Sequence, residues 1–257
     1  MSDTLCREDR PKNGLPMTEP RTAAAAATDL DELDRRVVAC RACPRLVAWR
    51  ELVARDKRAA YASQEYWGRP VPGFGPADAR LALVGLAPSA HGANRTGRMF
   101  TGDRSGDVLF AALHAAGLAS RPESTDIHDG TQLHDLRMFA PVRCAPPDNK
   151  PSPAERDTCR PWLVRELELL APTLRAIIVL GGFGWQALLP VLAETGWLVP
   201  RPRPAFAHGA HVVLPGRSEL HLFGCYHVSP QNTNTGRLTP PMLAEVFTEA
   251  RRVADRN

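Results

Sequence analysis

Residues 80–107 read Arg80-Leu-Ala-Leu-Val-Gly-Leu-Ala-Pro-Ser-Ala-His-Gly-Ala-Asn-Arg-Thr-Gly-Arg-Met-Phe-Thr-Gly-Asp-Arg-Ser-Gly-Asp107. The opening run, Arg80 to Leu86, is almost continuously apolar and ends in glycine and proline. That is the pattern of a strand covered on both faces, as in a parallel sheet, with a loop leaving its carboxyl end. Ser105 is a suitable N-cap for a helix over 106–116, which Gly117 closes. A buried strand, a glycine-rich polar loop and a helix, in that order, form one unit of an alternating α/β chain.

The same unit recurs on either side. Met138–Arg143, Arg175–Leu180, Ala210–Leu214 and Glu219–Tyr226 read as further strands. Helices are expected from Ser152 or Pro153 to Leu170, from after Gly182 to Thr195, and from Thr239 to Ala254. Another spans Asp29 to Asp56, broken or kinked at Pro44. Residues 61–79 and 199–209 are rich in proline and glycine or proline alone, and read as loops. Residues 1–28 mix charges with an alanine run and have no apolar period, so a disordered tail is expected there and a single domain over 29–257. The expected fold is a three-layer αβα sandwich around a central, mostly parallel four-stranded sheet flanked by helices. Ligands of such sheets bind at the carboxyl ends of the strands. The loops after Leu86, Arg143 and Tyr226 leave from that edge.

Composition narrows the class. The chain has 257 residues, 44% apolar and 23% charged, which is ordinary for one globular domain. No apolar run is long enough to cross a membrane, and the polar N-terminus has no signal-like apolar region, so a cytoplasmic protein is expected. There, six cysteines are free, metal-bound or catalytic rather than paired in disulfides. The net charge of +4 favours a polyanion only weakly. All but three of its 32 basic residues are arginines, which by itself says little about nucleic acid.

Four cysteines could act together. Cys40 and Cys43 form a C-x-x-C; Cys144 follows the second strand, and Cys159 lies in the next helix. Cys6 lies in the tail and Cys225 in a buried strand. Four thiolates suit zinc or a [4Fe–4S] cluster, and spacing does not choose between them. Scattered buried thiols are the plainer alternative.

A second polar segment follows the last strand: His227-Val-Ser-Pro-Gln-Asn-Thr-Asn-Thr-Gly-Arg237. Its hydroxyls, amides and arginine suit a sugar–phosphate backbone, although an ordinary polar loop has the same composition. The segment at 85–107 lacks the spacing of a dinucleotide fingerprint or Walker loop. Taken together, GLAPSAHGANRTGRMFTGDRSGD, HVSPQNTNTGRLT and the four cysteines resemble the uracil-DNA glycosylase superfamily, over about residues 35–252. Within it they resemble the type-5 branch. Type-4 relatives carry an acid where this chain has Leu86 and an asparagine where it has Ala140; loss of that base-reading asparagine implies a broader range of deaminated bases.

The resemblance implies a structural [4Fe–4S] cluster on Cys40, Cys43, Cys144 and Cys159. It implies an enzyme that flips uracil, or another deaminated base such as hypoxanthine, out of DNA and hydrolyses its glycosidic bond to begin base excision repair. Asp103 would orient or activate water and neutral His227 would donate to the base carbonyl; Asp107 better suits helix capping. Phe100 would stack on the base, with Gly85, Ala87, His91, Asn149 and Asn232 around it. Arg95, Ser229, Pro230, Gln231 and Arg237 would hold the DNA strand. The partner is DNA, with no obligate protein partner expected and a monomer in solution. Rival readings are a non-catalytic or covalently trapping damaged-base binder, and a zinc-stabilised enzyme of free nucleotides. The trapping relative uses a histidine-bearing basic loop, and no such insertion separates Gly92 from Phe100.

Overall fold

The computed structural model describes residues 19–256. Four strands run parallel: β1 (Leu81–Val84), β2 (Leu136–Phe139), β3 (Ala176–Leu180) and β5 (Leu220–Cys225). The sheet order is β2-β1-β3-β5-β4. β4 (His211–Leu214) pairs antiparallel with β5, Val212 opposite Leu222. The sheet therefore has five strands, not four: the four parallel strands gain an antiparallel edge strand, because only five residues separate β4 from β5 and a short reversal cannot make a parallel crossover.

Both faces of the sheet are covered, as buried strands without polar alternation require. Successive residues point to opposite sides. Ala82, Val84, Ile177, Val179 and Leu222 pack under α6 (Pro153–Leu170) and α7 (Gly182–Glu194), with Trp162, Leu167, Trp185 and Leu188 supplying bulk. Leu83, Met138, Ile178 and Phe223 pack under α5 (Arg104–Ala115) and α9 (Pro240–Ala254), through Leu109, Phe110, Leu243 and Phe247.

The helix starts follow local chemistry. At α6, Ser152 and Glu155 form a reciprocal capping box with Pro153 in the first turn. Pro44 breaks the expected long helix into α2 (Leu30–Val38) and α3 (Pro44–Asp56), and sits where a helix tolerates proline best. The cap of α5 is Asp103, not Ser105: its side chain accepts the N–H of Gly106. Both residues are good caps, and the fold places the turn two residues earlier.

Part of the stretch expected to be disordered is helical. Pro20–Ala25 form α1, whose Ala23 and Ala24 are buried, and Arg165 of α6 grips the Ala27 carbonyl at 3.0 and 2.8 Å. Small alanines allow a close approach that apolar periodicity alone does not reveal. The rest of the expected tail, with Cys6, lies outside the described residues. Among those described, no helix is long and apolar enough to cross a membrane.

Candidate active site

The carboxyl edge of the parallel strands carries the two polar segments. After β1 the chain leaves through Gly85 and returns through α4 (Ala93–Thr96), a single turn closed by Gly97 at φ 79°. Phe100 itself has φ 55°, in the left-handed region that costs a bulky side chain energy. That conformation lays its ring on Gly85: a Cβ there would stand 2.6 Å from the ring carbon Cζ. Gly85 is thus required by close approach, and the strained Phe100 backbone is held by a packed loop. Inside that loop Thr101 Oγ1 donates to the Arg98 carbonyl at 2.9 Å.

Asp103 stands at the head of α5. Its Oδ1 accepts the Gly106 N–H at 3.1 Å, and its Oδ2 accepts the Ser89 hydroxyl at 2.5 Å. Gly92 fits beneath them, since a Cβ there would lie 2.4 Å from Asp103 Oδ2. Across the edge, after β5, His227 packs on Gly181, where a Cβ would stand 3.5 Å from the histidine Cβ. The ring centroids of Phe100 and His227 are 6.1 Å apart, tilted by 39°. Burial lowers the His227 pKa, while the charge of Asp103 acts in the opposite direction. An acid, a neutral imidazole and an aromatic face therefore share one edge, drawn from segments more than a hundred residues apart.

Other expected site residues fall into different places. The side-chain amide of Asn232 donates to the His227 carbonyl at 2.8 Å, so it shapes the histidine's backbone. His91 Nδ1 is 3.1 Å from the hydroxyl of buried Tyr66, and burial with the cations of Arg58 and Arg95 lowers its pKa. Ala87 packs against the cluster of Leu46, Val142 and Cys144. Arg95, expected on DNA, is spent within the motif: Nε donates to the His91 carbonyl at 2.8 Å and Nη2 to Gly102 at 2.7 Å. Its guanidinium also lies 4.0 Å from the Tyr61 ring centroid. Asn149, expected at the base, is exposed in a turn at φ 54°, beside Asp148 at φ 53°. Ser229 precedes α8 (Pro230–Thr233), while Pro230, Gln231 and Arg237 are exposed, as strand-gripping groups must be.

Ser89 and Tyr66 escaped the sequence reading. Ser89 lay within the quoted motif, but nothing local marks which acid its hydroxyl will meet. Tyr66 lay in a loop whose only signal was an aromatic pair, Tyr66-Trp67, among glycine and proline.

Cys40, Cys43, Cys144 and Cys159 line one small apolar cavity, with Leu46, Val142 and Trp162. Burial pushes the Cys43 and Cys144 thiols up to about 11, and the Cys159 thiol higher still. Two buried cations border this cavity. Arg50 donates from Nη1 to Cys144 Sγ at 2.9 Å and from Nη2 to the Cys40 carbonyl at 3.2 Å. Arg143 lines the cavity and pairs with Glu166. Yet Arg50 Nε and Arg143 Nε and Nη1 are buried without a hydrogen-bond partner. Among the described residues, no three His, Cys, Asp or Glu side chains are gathered closely enough to hold a single metal ion.

Comparison with known proteins gives the family. The family model of the uracil DNA glycosylase superfamily matches residues 72–251. The chain is 55% identical over 231 residues to a type-5 uracil-DNA glycosylase of Mycobacterium bovis, covering 90% of this chain and 84% of that one. It is 51% identical to the type-5 uracil-DNA glycosylase of Thermus thermophilus, covering 88% of this chain and 99% of that one. For the type-5 uracil-DNA glycosylase of Pyrobaculum aerophilum the identity is 45%, covering 86% and 91%. With its motifs meeting at one sheet edge and relatives of this kind along nearly its whole described length, the chain belongs to the uracil-DNA glycosylase superfamily, in its type-5 branch.

Proposed function

We propose that the protein is a monofunctional DNA glycosylase that extrudes uracil, and other deaminated bases such as hypoxanthine, and hydrolyses the N-glycosidic bond to leave an abasic site. The observation that carries this reading is the gathering of Ser89-held Asp103 with the neighbouring Phe100 and His227 rings at one sheet edge. Breaking the bond leaves positive charge on the sugar and negative charge on the departing base. A fixed carboxylate serves the first, and a neutral N–H donor at the base oxygen serves the second.

Phe100 offers an aromatic face already set against Gly85, so stacking the extruded base costs little reorganisation. The lowered pKa of His227 keeps the imidazole neutral near pH 7, able to donate without bringing a buried cation to the base. Asp103 accepts from Ser89 and from the first turn of α5, which leaves it fixed but not enclosed, in reach of a water. With Ala140 buried where type-4 relatives place an amide, shape and backbone groups discriminate the base, which supports the broader substrate range. Ser229, Pro230, Gln231 and Arg237 hold the strand.

The four cysteines fit a [4Fe–4S] cluster. Four cysteines line one cavity, and Arg50 and Arg143 beside it carry buried N–H groups without a partner, which an anionic cluster would stabilise. Cys40, Cys43, Cys144 and Cys159 would be its ligands, and when bound it supplies a covalent staple between α3, the loop after β2 and α6, without a redox step. Single-turnover reaction with uracil-containing DNA, followed by alkaline cleavage, tests the function: strand scission at the uracil is expected, and intact strands would refute it.

A further inference from the structure

One stretch of the chain is poor in acids, and it borders the catalytic edge. Between Gly196 and Ala244 the only acidic residue is Glu219, against Arg201, Arg203, Arg217 and Arg237, although the chain carries 28 acids over 257 residues. This stretch builds the loop before β4, the β4–β5 hairpin and the His227 segment. Its loop is anchored: Trp185 Nε1 donates to the Pro204 carbonyl at 2.8 Å, Gly209 N–H to Gly224 at 2.8 Å, and Tyr226 N–H to His208 Nδ1 at 3.2 Å.

Those bonds assemble an aromatic shelf. His208 stacks on Tyr226 with centroids 5.0 Å apart, and Phe206 lies 6.4 Å from Tyr226. The Phe206 ring also reaches the first turn of α7, where a Cβ on Gly182 would stand 3.6 Å from it. The Arg237 guanidinium lies 4.5 Å from the Tyr226 centroid. Phe206, His208 and Tyr226 are half-exposed, while Arg201, Arg203 and Arg237 are exposed. The shelf begins at Tyr226, next to His227 in the chain, so a strand with one nucleotide held at Phe100 and His227 would bring its neighbours within reach.

We infer that this shelf is a nucleobase-stacking track for the strand flanking the extruded nucleotide, an inference that rests on the glycosylase reading. Half-exposed aromatics alone would equally suit a protein partner; four arginines against one acid in this stretch favour a polyanion, although the charge of Glu245 reaches His208. Interleaved rings and cations are what single-stranded DNA needs, since every base has a face to stack and no sequence is read. A repair enzyme must work in any sequence context, and stacking meets that demand.

The test uses single-stranded oligonucleotides with a tetrahydrofuran abasic analogue and 2-aminopurine at successive flanking positions. Wild type should quench 2-aminopurine on one flank. Phe206→Ser should lose that quenching and bind about tenfold more weakly, and Phe206→Trp should restore both. Arg201→Ser/Arg203→Ser, changed only at exposed positions, should flatten the dependence of log K on log salt by about 0.7 per lost phosphate contact. Unchanged quenching, affinity and salt slope, in a protein that excises uracil from the matching oligonucleotides, would overturn the track and leave the glycosylase reading standing. Failure of the wild type to excise would instead overturn the glycosylase reading, and the track with it.

Discussion

Ser89 donates its hydroxyl to Asp103 Oδ2 at 2.5 Å while the other carboxylate oxygen starts helix α5 at Gly106. One side chain therefore has a structural and a chemical duty, and substitution can separate them. Asparagine caps a helix as well as aspartate does. Asp103→Asn should melt near the wild-type temperature yet lose about 100-fold or more in single-turnover excision. Asp103→Ala should lose the activity and also about 1 kcal/mol of stability. An Asp103→Asn protein that excises at wild-type rate would leave the carboxylate with capping alone.

The position of the Phe100 ring depends on a missing Cβ. Gly85→Ala would place a methyl 2.6 Å from the ring carbon Cζ and push the ring out of position. Excision from G·U duplex should fall by about tenfold or more, because the stacking ring is displaced. Phe100→Ala should weaken excision as well, by removing the stacking face. Equal rates for both variants and wild type would mean the base rests elsewhere.

Burial lowers the pKa of His91, His208 and His227 below the ordinary 6.5. A group with a lowered folded value binds its proton more readily when unfolded. Its stabilising effect is present above the unfolded pKa and is lost as pH falls through the folded one. Thermal stability should thus decline as pH drops from about 7 to about 5. His227→Gln should shallow that decline. A melting temperature indifferent to pH over this range would contradict the burial of these rings.

Glu166 is fully buried and accepts Arg137 Nε at 2.7 Å on one oxygen and Arg143 on the other; Arg137 also donates to Asp34 at 2.7 Å. Glu166→Gln leaves two buried guanidinium groups short of one negative charge. A loss of about 3–5 kcal/mol is expected, measured by denaturant unfolding. A change below about 1 kcal/mol would mean that water or another anion screens the pair.

The cluster reading predicts a brown protein, absorbing near ~400 nm when prepared without oxygen. Cys159→Ser should lose iron and colour and melt at a lower temperature, because the staple between α6 and the loop after β2 is cut. Arg50→Met should retain the ligands but release iron faster under oxidant, since a donor to Cys144 Sγ is gone. A colourless, iron-free wild type would remove the cluster.

Much of this was legible in order along the chain. Apolar runs ending in glycine identified β1 and β3; Ser152, Pro153 and Glu155 identified the start of α6; and the two polar segments were assigned to the strand ends where the structure places them. These are short-range properties: period, cap chemistry and proline geometry involve residues within a turn or two of one another.

What only the tertiary structure decided was the partner of each polar group. Asp103 rather than Ser105 begins α5; Arg95 turns inward to His91 and Gly102; Asn232 holds the His227 carbonyl; Asn149 stays in its turn; and alanines 23 and 24 bury against α6. Sheet order and the antiparallel β4 belong to the same class. A strand or helix is written by its own neighbours, but a hydrogen bond or a close approach is chosen among all groups the fold brings near, and that choice spans distances in sequence over which no local pattern carries information.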